Sequence, residues 1–141
     1  MKVYRFTPRT IHLLRLDTGS DLYDSITKYA RDHDVQVAWV NFLGAVRRAS
    51  LRYYDQEEKE YRDYVLDRHL EVVAGVGNFS SLDGEPFLHI HTALSDEDGA
   101  GFGGHVNSGT EVFAIEVMLQ ELEGDPPVRL PDECTGLTLW D

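Results

Sequence analysis

The amino-acid sequence predicts an α+β fold, in which one main α-helix packs on a curved, mostly antiparallel β-sheet within a single domain spanning residues 1–141. Three observations support this class. Most of the chain consists of short runs of β-branched and aromatic residues separated by turn residues. Only residues 20–33 carry apolar side chains at helical spacing. At 42% hydrophobic residues the chain can bury a core, and its one cysteine, Cys134, excludes an internal disulfide.

Eight strands are predicted from apolar runs that are bounded by turn residues. In chain order they cover residues 3–6, 11–16, 35–42, 46–54, 60–66, 70–79, 87–94 and 112–119. Pro8 predicts the first turn, Gly44 separates the third strand from the fourth, and residues 80–86 are expected to form a further turn. The last run is apolar enough for a buried helix, but it is short and β-branched, which favours a central strand.

The single helix is predicted to begin after Ser20 or Asp21, either of which can cap its N-terminus. One face of this helix is apolar and is expected to lie on the sheet; it carries Leu22, Ile26, Tyr29 and Ala30. Edge strands in so small a domain need cover, which oligomerisation can supply. The tail at residues 124–131 could pack across a neighbouring subunit or lie on its own.

The charge of the chain argues against a nucleic-acid-binding surface. It has 25 acidic and 13 basic residues, and the net charge of −12 repels phosphate at long range. The best basic cluster is Arg47, Arg48 and Arg52, but acidic residues follow it closely, so a mixed-charge solvated face is expected. No run is apolar enough for a signal peptide or a membrane span, which predicts a cytoplasmic protein without membrane contact.

The strongest chemical signal is a group of three histidines. His89 and His91 stand two positions apart on a predicted strand, so both side chains point to the same face. Gly103 and Gly104 would let the chain bend back and bring His105 to the same place. Three imidazoles with one open position are a common zinc arrangement. Spacing alone leaves open the alternative that the histidines only form hydrogen bonds with neighbouring groups.

Further residues could take part in chemistry at this site. Glu71 and Glu116 lie in otherwise apolar strands, so each is either turned outward or buried and paired. A buried one near a metal could orient a ligand or act as a general base, and Glu111 is a third candidate. The glycine-rich segment that contains Gly103 and Gly104 is expected to form a turn, whose backbone N–H groups could hold a small carboxylate or phosphate above the histidines.

The order of motifs along the chain resembles the PPC domain, the plant and prokaryote conserved domain. The resemblance is carried by Gly44-Ala45-Val46, Tyr53-Tyr54-Asp55, Glu71-Val72-Val73, Gly77-Asn78, the block from Pro86 to Gly99, Gly103-Gly104-His105, Glu116-Val117 and Gly136-Leu137. It implies a compact α+β fold assembled as a homotrimer. The histidines of the family fall on His89, His91 and His105, and an all-imidazole site favours Zn²⁺. The Arg-Gly-Arg-Pro hook of the plant relatives is absent, which marks the stand-alone prokaryotic type.

These observations lead to three functional hypotheses. The first is a trimeric cytoplasmic binding or regulatory module with zinc on the three histidines, associated with DNA only through partners. The second is a zinc-dependent enzyme, in which a metal-bound water attacks a small carbonyl or phosphoryl substrate. The third is a protein that binds DNA directly, which the charge disfavours.

Overall fold

One 18-residue strand organises the fold. The computed structural model describes residues Met1–Asp141 and contains nine strands and one helix. In chain order they are β1 (Thr7–Leu16), α1 (Leu22–Asp32), β2 (Ala38–Asp55), β3 (Glu60–Leu66), β4 (Leu70–Leu82), β5 (Glu85–Ser95), β6 (Gly101–Val106), β7 (Glu111–Glu123), β8 (Arg129–Pro131) and β9 (Thr138–Trp140). The first part of β2 pairs with β4 and β7, and its last part pairs with β3 and β6.

The sheet is strongly curved because β2 is paired twice. The strand order is β1-β7-β2-β4-β5-β6, with β3 also on β2, and β6 returns to pair with β2. Strands β2, β4, β5 and β6 therefore close a small ring, while β8 and β9 form a separate two-stranded sheet. All the strand pairs within both sheets are antiparallel. The predicted α+β class, with one helix on a mostly antiparallel sheet in a single domain, is confirmed.

The two strands predicted at 35–42 and 46–54 are in fact one strand, β2, so that prediction was wrong. Gly44 marks a bulge in this strand rather than a turn, and its φ is +133°. A Cβ at this position would overlap the carbonyl oxygen of Ala114 on β7, so only glycine permits the two backbones to approach. The bulge bends β2 and lets its two halves reach different neighbours.

Three other boundaries differ from the sequence-based expectation. Residues 3–6 are not a strand; β1 starts at Thr7 and tolerates Pro8 because it is the edge of the sheet. Strands β4 and β5 continue through most of 80–86 and leave only a two-residue turn, Asp83-Gly84, with positive φ at both positions. The glycine-rich segment becomes strand β6 from Gly101 onwards, whereas a turn was expected.

Helix α1 has the predicted cap and the predicted buried face. The Asp24 backbone N–H donates to Oδ1 of Asp21 at 2.8 Å, which satisfies one of the free donors at the helix start. The apolar residues Leu22, Ile26 and Ala30 are buried in the core, and Tyr29 packs against it. The helix lies against β5 and β7. No helix combines the length and the apolarity that crossing a bilayer requires.

The other side of the sheet, called the outer face here, remains largely exposed. One row of directly opposed residues crosses it from β1 to β6; in order these are Leu13, Met118, Asn41, Val76, His91 and His105. The end of this row on β1 and β7 carries the apolar side chains Leu13 and Met118, and the end on β5 and β6 carries the imidazoles of His91 and His105. The predicted histidine cluster therefore lies on a face that is continuous with an apolar surface.

Candidate metal centre

The register of β5 and β6 brings the three histidines together. His89 and His91 point to the outer face of β5, while Ile90 between them is fully buried in the core. His105 on β6 lies directly opposite His91. A slip of one residue would bury the imidazoles and expose Leu88 and Ile90, so burial of the apolar residues fixes the register.

The geometry of the three side chains suits a single ion. One ligand nitrogen from each histidine lies within 4.8 Å of the others. The Nε2 atoms of His89 and His91 are 3.1 Å apart, and the ring centroids are 5.0 to 5.3 Å apart. Tetrahedral zinc with Zn–N bonds of about 2.0–2.1 Å holds its nitrogens about 3.3 Å apart. The three imidazoles therefore need only small movements to share one ion.

Electrostatics keep these imidazoles neutral. The pKa of His89 is lowered to about 4, mainly through burial and then through the Arg129 guanidinium and His91. The pKa of His105 also falls to about 4, mainly through burial and then through His89 and His91. Burial lowers the pKa of His91 as well. At neutral pH the three rings are uncharged, which is the form that binds a metal.

Gly103 and Gly104 lie within β6, opposite Ala93 and Thr92. A Cβ on Gly103 would overlap the carbonyl oxygen of Thr92, so this glycine allows close strand packing. The Tyr64 hydroxyl donates to the Gly103 carbonyl at 2.6 Å and would crowd a Cβ on Gly104. The structure thus gives both glycines a packing role that carries β6 past β5 and brings His105 to the cluster.

The three glutamates proposed as catalytic candidates lie away from the histidines. Glu71 and Glu116 are exposed, and β7, which carries Glu116, is separated from β5 by β2 and β4, or about 14 Å of sheet. Glu71 lies opposite Ser95, about 13 Å along β5 from His91. Glu111 forms an ion pair with Arg47 at 3.2 Å. No carboxylate joins the histidine cluster, so the protein offers three ligands and leaves a fourth position open.

Arg129 borders this cluster, and sequence reasoning missed it. The tail packs against the rest of the same chain, where β8 places Arg129 beside His89, and only 7% of the residue is exposed. Its Nη2 donates to Nδ1 of His89 at 3.2 Å, and its guanidinium lies over the Phe87 and Trp140 rings. A lone cation within an otherwise apolar tail segment, Val128-Arg129-Leu130-Pro131, is the sequence signal that could have identified it.

Known structures share this fold along the whole chain. A metal-containing protein from Archaeoglobus fulgidus is 44% identical, with a TM-score of 0.95 and coverage of 99% of both chains. A plant- and prokaryote-conserved (PPC) protein from Pyrococcus horikoshii is 35% identical, with a TM-score of 0.93, and the match covers 100% of this chain and 97% of that one.

A curated relative matches a similar stretch of the chain. The bifunctional protein GlmU of Synechococcus sp. (strain JA-3-3Ab) is 33% identical over 128 residues, which are 89% of this chain but 19% of that protein. This chain therefore spans only a small part of the curated relatives that it matches. The family model of the Plants and Prokaryotes Conserved (PCC) domain matches residues 5–123, which confirms the resemblance to the PPC domain. The chain belongs to the Plants and Prokaryotes Conserved domain family.

Proposed function

We propose that the protein is a cytoplasmic, trimeric binding module that holds one zinc ion on His89, His91 and His105. The observation that carries the proposal is that three neutral imidazoles converge with one ligand nitrogen each inside 4.8 Å. The description of the 44% identical archaeal relative as metal-containing supports it. An all-imidazole set suits zinc better than the oxygen-seeking ions Mg²⁺ and Ca²⁺.

The open fourth position supports ligand binding by this module. Zinc with three protein ligands and one free position accepts a water or a small ligand there. A hydrolytic enzyme would also need a general base at hydrogen-bonding distance from the metal-bound water. The separation of Glu71, Glu111 and Glu116 from the histidines favours a binding role over turnover.

The outer face supports self-association. Leu13 is 79% exposed, and a groove of about 640 Å³ on this face is lined by Leu13, Leu43, Val73 and Met118, among others. A surface of this kind in a small protein favours a partner. A second copy of the chain is the occupant we propose, and the family resemblance suggests three copies. Val76 is exposed and directly opposes His91, so such an interface would extend to the edge of the metal site.

Light scattering tests the assembly. Three copies of a 16.0 kDa chain give about 48 kDa. Leu13→Glu should release monomers, because a buried carboxylate at an apolar interface is costly. Val65→Glu is the matched control, since Val65 is exposed on β3 away from the row. A wild-type mass near 16 kDa at micromolar concentration would reject the trimer.

The basic cluster offers no support for direct DNA binding. Arg47 pairs with Glu111 at 3.2 Å, and Arg52 pairs with Asp63 at 3.0 Å. Arg48 donates to the carbonyl of Gly109 at 3.3 Å. With two of the three cations paired and a net charge of −12, any association with DNA would depend on a partner.

Metal analysis tests the centre itself. Untagged wild-type protein should carry about one zinc ion per chain by mass spectrometry, and both His89→Ala and His105→Ala should lose it. His69→Ala is the matched control, because this histidine is exposed and lies outside the cluster. Protein that retains no zinc after incubation with the metal and desalting would refute the proposal.

A further inference from the structure

We propose that Arg129 is the anion-recognition residue of this centre and that the ligand taken at the open position carries a carboxylate group. The inference rests on the proposed metal site and adds the chemical class of its ligand. It starts from a buried cation that the fold itself leaves without a counter-charge.

Arg129 is almost completely buried, yet no acidic residue pairs with it. Only 7% of the residue is exposed, and none of the ion pairs in the protein includes it. Its hydrogen-bond acceptors are all uncharged: Oγ of Ser80, the carbonyl of Thr138 and Nδ1 of His89. A buried charge without a partner is destabilising, which in a protein with 25 acidic residues points to an external anion.

The guanidinium is held in place and still has donors to offer. Arginine carries five N–H groups, and three of them are used in these contacts. The rings of Phe87 and Trp140 pack against its face at 5.0 and 5.9 Å. Ser80 and Thr138 fix Nε and Nη1, so Nη2 is the end that lies against the histidine cluster. A ligand bound there would meet a preorganised donor rather than a mobile side chain.

The contact with His89 links Arg129 to the metal position. A guanidinium only donates, so Nδ1 of His89 must be the acceptor, and the proton of this neutral ring is on Nε2, which faces Nε2 of His91 at 3.1 Å. If both Nε2 atoms ligate an ion, a neutral His89 can keep its proton only on Nδ1. The Nδ1–H group of His89 and the Nη2–H group of Arg129 are then both donors, so Nη2 of Arg129 loses this acceptor and requires another one.

The number of free charges favours a carboxylate over a phosphate. Arg52, the other guanidinium beside His105, is neutralised by Asp63 at 3.0 Å. The unpaired guanidinium of Arg129 and one open metal position therefore remain. A single carboxylate matches them, with one oxygen for each. A phosphate dianion brings more oxygens and more charge than these two groups satisfy.

The test uses Co²⁺ as a spectroscopic substitute for zinc in the intact protein, with acetate as the probe and chloride at equal ionic strength as the control. Acetate should change the visible absorption of the cobalt protein saturably, and Arg129→Gln should weaken acetate binding by roughly tenfold or more, as loss of a charge-assisted hydrogen bond requires. Arg129→Lys, which keeps the charge but loses the fork, should weaken it less. Cobalt stoichiometry and the far-UV circular dichroism spectrum of each variant are measured in parallel.

Because Arg129→Gln could unfold the β8–β9 hairpin, a measurement on the wild-type protein is added. The Nε–H resonance of Arg129 should shift as acetate is titrated, with Arg129→Lys identifying the signal. Cobalt binding with no response to acetate, or an equal response in Arg129→Gln, would overturn the inference and leave the metal site intact. Phosphate binding as tightly as acetate would overturn the carboxylate assignment. Failure to bind cobalt would refute the metal site and this inference with it.

Discussion

Gly77 on β4 connects the packing of the sheet to the geometry of the proposed metal centre. It lies directly opposite Ile90, which stands between His89 and His91 on β5. A Cβ added at Gly77 would overlap the carbonyl oxygen of His89 and would lie 2.8 Å from Cα of Ile90. To move the carbonyl oxygen of His89 out to ordinary contact at 3.4 Å, the two backbones must separate there by about 1.3 Å.

We therefore predict that Gly77→Ala weakens both folding and metal binding. Overpacking of a core costs about 1–3 kcal/mol, and the upper part of that range is expected because the obstruction is backbone. With a urea m-value of about 2 kcal/mol/M, the unfolding midpoint should fall by about 1 M or more. Metal–ligand distances tolerate deviations of only about 0.2 Å, so a shift of about 1.3 Å at His89 should also reduce zinc affinity.

Urea unfolding of the metal-free protein, followed by zinc titration with a competing chelator, measures the two effects separately. Gly101→Ala is the matched control, because a Cβ there meets nothing within 4 Å. Equal stability of the two variants would refute the packing argument. A destabilised Gly77→Ala that binds zinc as tightly as wild type would show that the position of β5 does not control the site.

Three further predictions concern stability. Asp21→Ala should lower the free energy of unfolding in urea by about 2 kcal/mol, because the Asp21 side chain caps α1 and also accepts from the Gly109 N–H. Asp21→Asn should lower it less. An equal loss in the exposed control Asp32→Ala would contradict the capping role. Ile26→Ala should cost about 2–5 kcal/mol because the side chain is fully buried, against a negligible change in Lys28→Ala. In the presence of a chelator, the free energy of unfolding should fall as the pH drops from about 6.5 towards 4. His89 and His105 have pKa values of about 4 in the folded protein, so over this range they bind protons in the unfolded chain but not in the folded one. Unfolding midpoints at pH 7, 6 and 5 measure this slope, and an unchanged slope in the His89→Gln/His105→Gln double variant would exclude these histidines as its source.

The features that sequence predicted well depend on local patterns. Alternation along β5 places Ile90 in the core and both flanking histidines outside, so the shared face of His89 and His91 follows from the strand period alone. The helix followed from a capping residue and a 3.6-residue apolar stripe. The glycine pair before His105 predicted that the third histidine could return to the first two, and pairing of β6 with β5 brings it there.

The features that sequence reasoning missed depend on contacts distant in the chain. Gly44 reads as a turn residue, and only the approach of Ala114 from β7 explains it as a bulge. The apolar strand around Glu116 left open whether this residue is turned outward or buried, and only its partners Arg15 and Leu43, which lie with it on the exposed outer face, decide for the outward position. The position of Arg129 depends on its hydrogen bond to Ser80, 49 residues earlier in the chain. The sequence of the tail alone does not indicate where β8 will pack.

The two faces of β5 explain how this fold presents the proposed metal centre without weakening its core. Leu88, Ile90 and Leu94 pack into the core from one face of β5, and His89 and His91 lie on the opposite face. A substitution of either histidine therefore leaves the core packing of the strand in place. The strand order of the sheet places the histidine cluster near the pairing of β6 with β2, which closes the ring of β2, β4, β5 and β6. An ion that joins His91 on β5 to His105 on β6 therefore bridges two strands of that ring, and its loss would loosen the closure before it affected the helix side of the molecule.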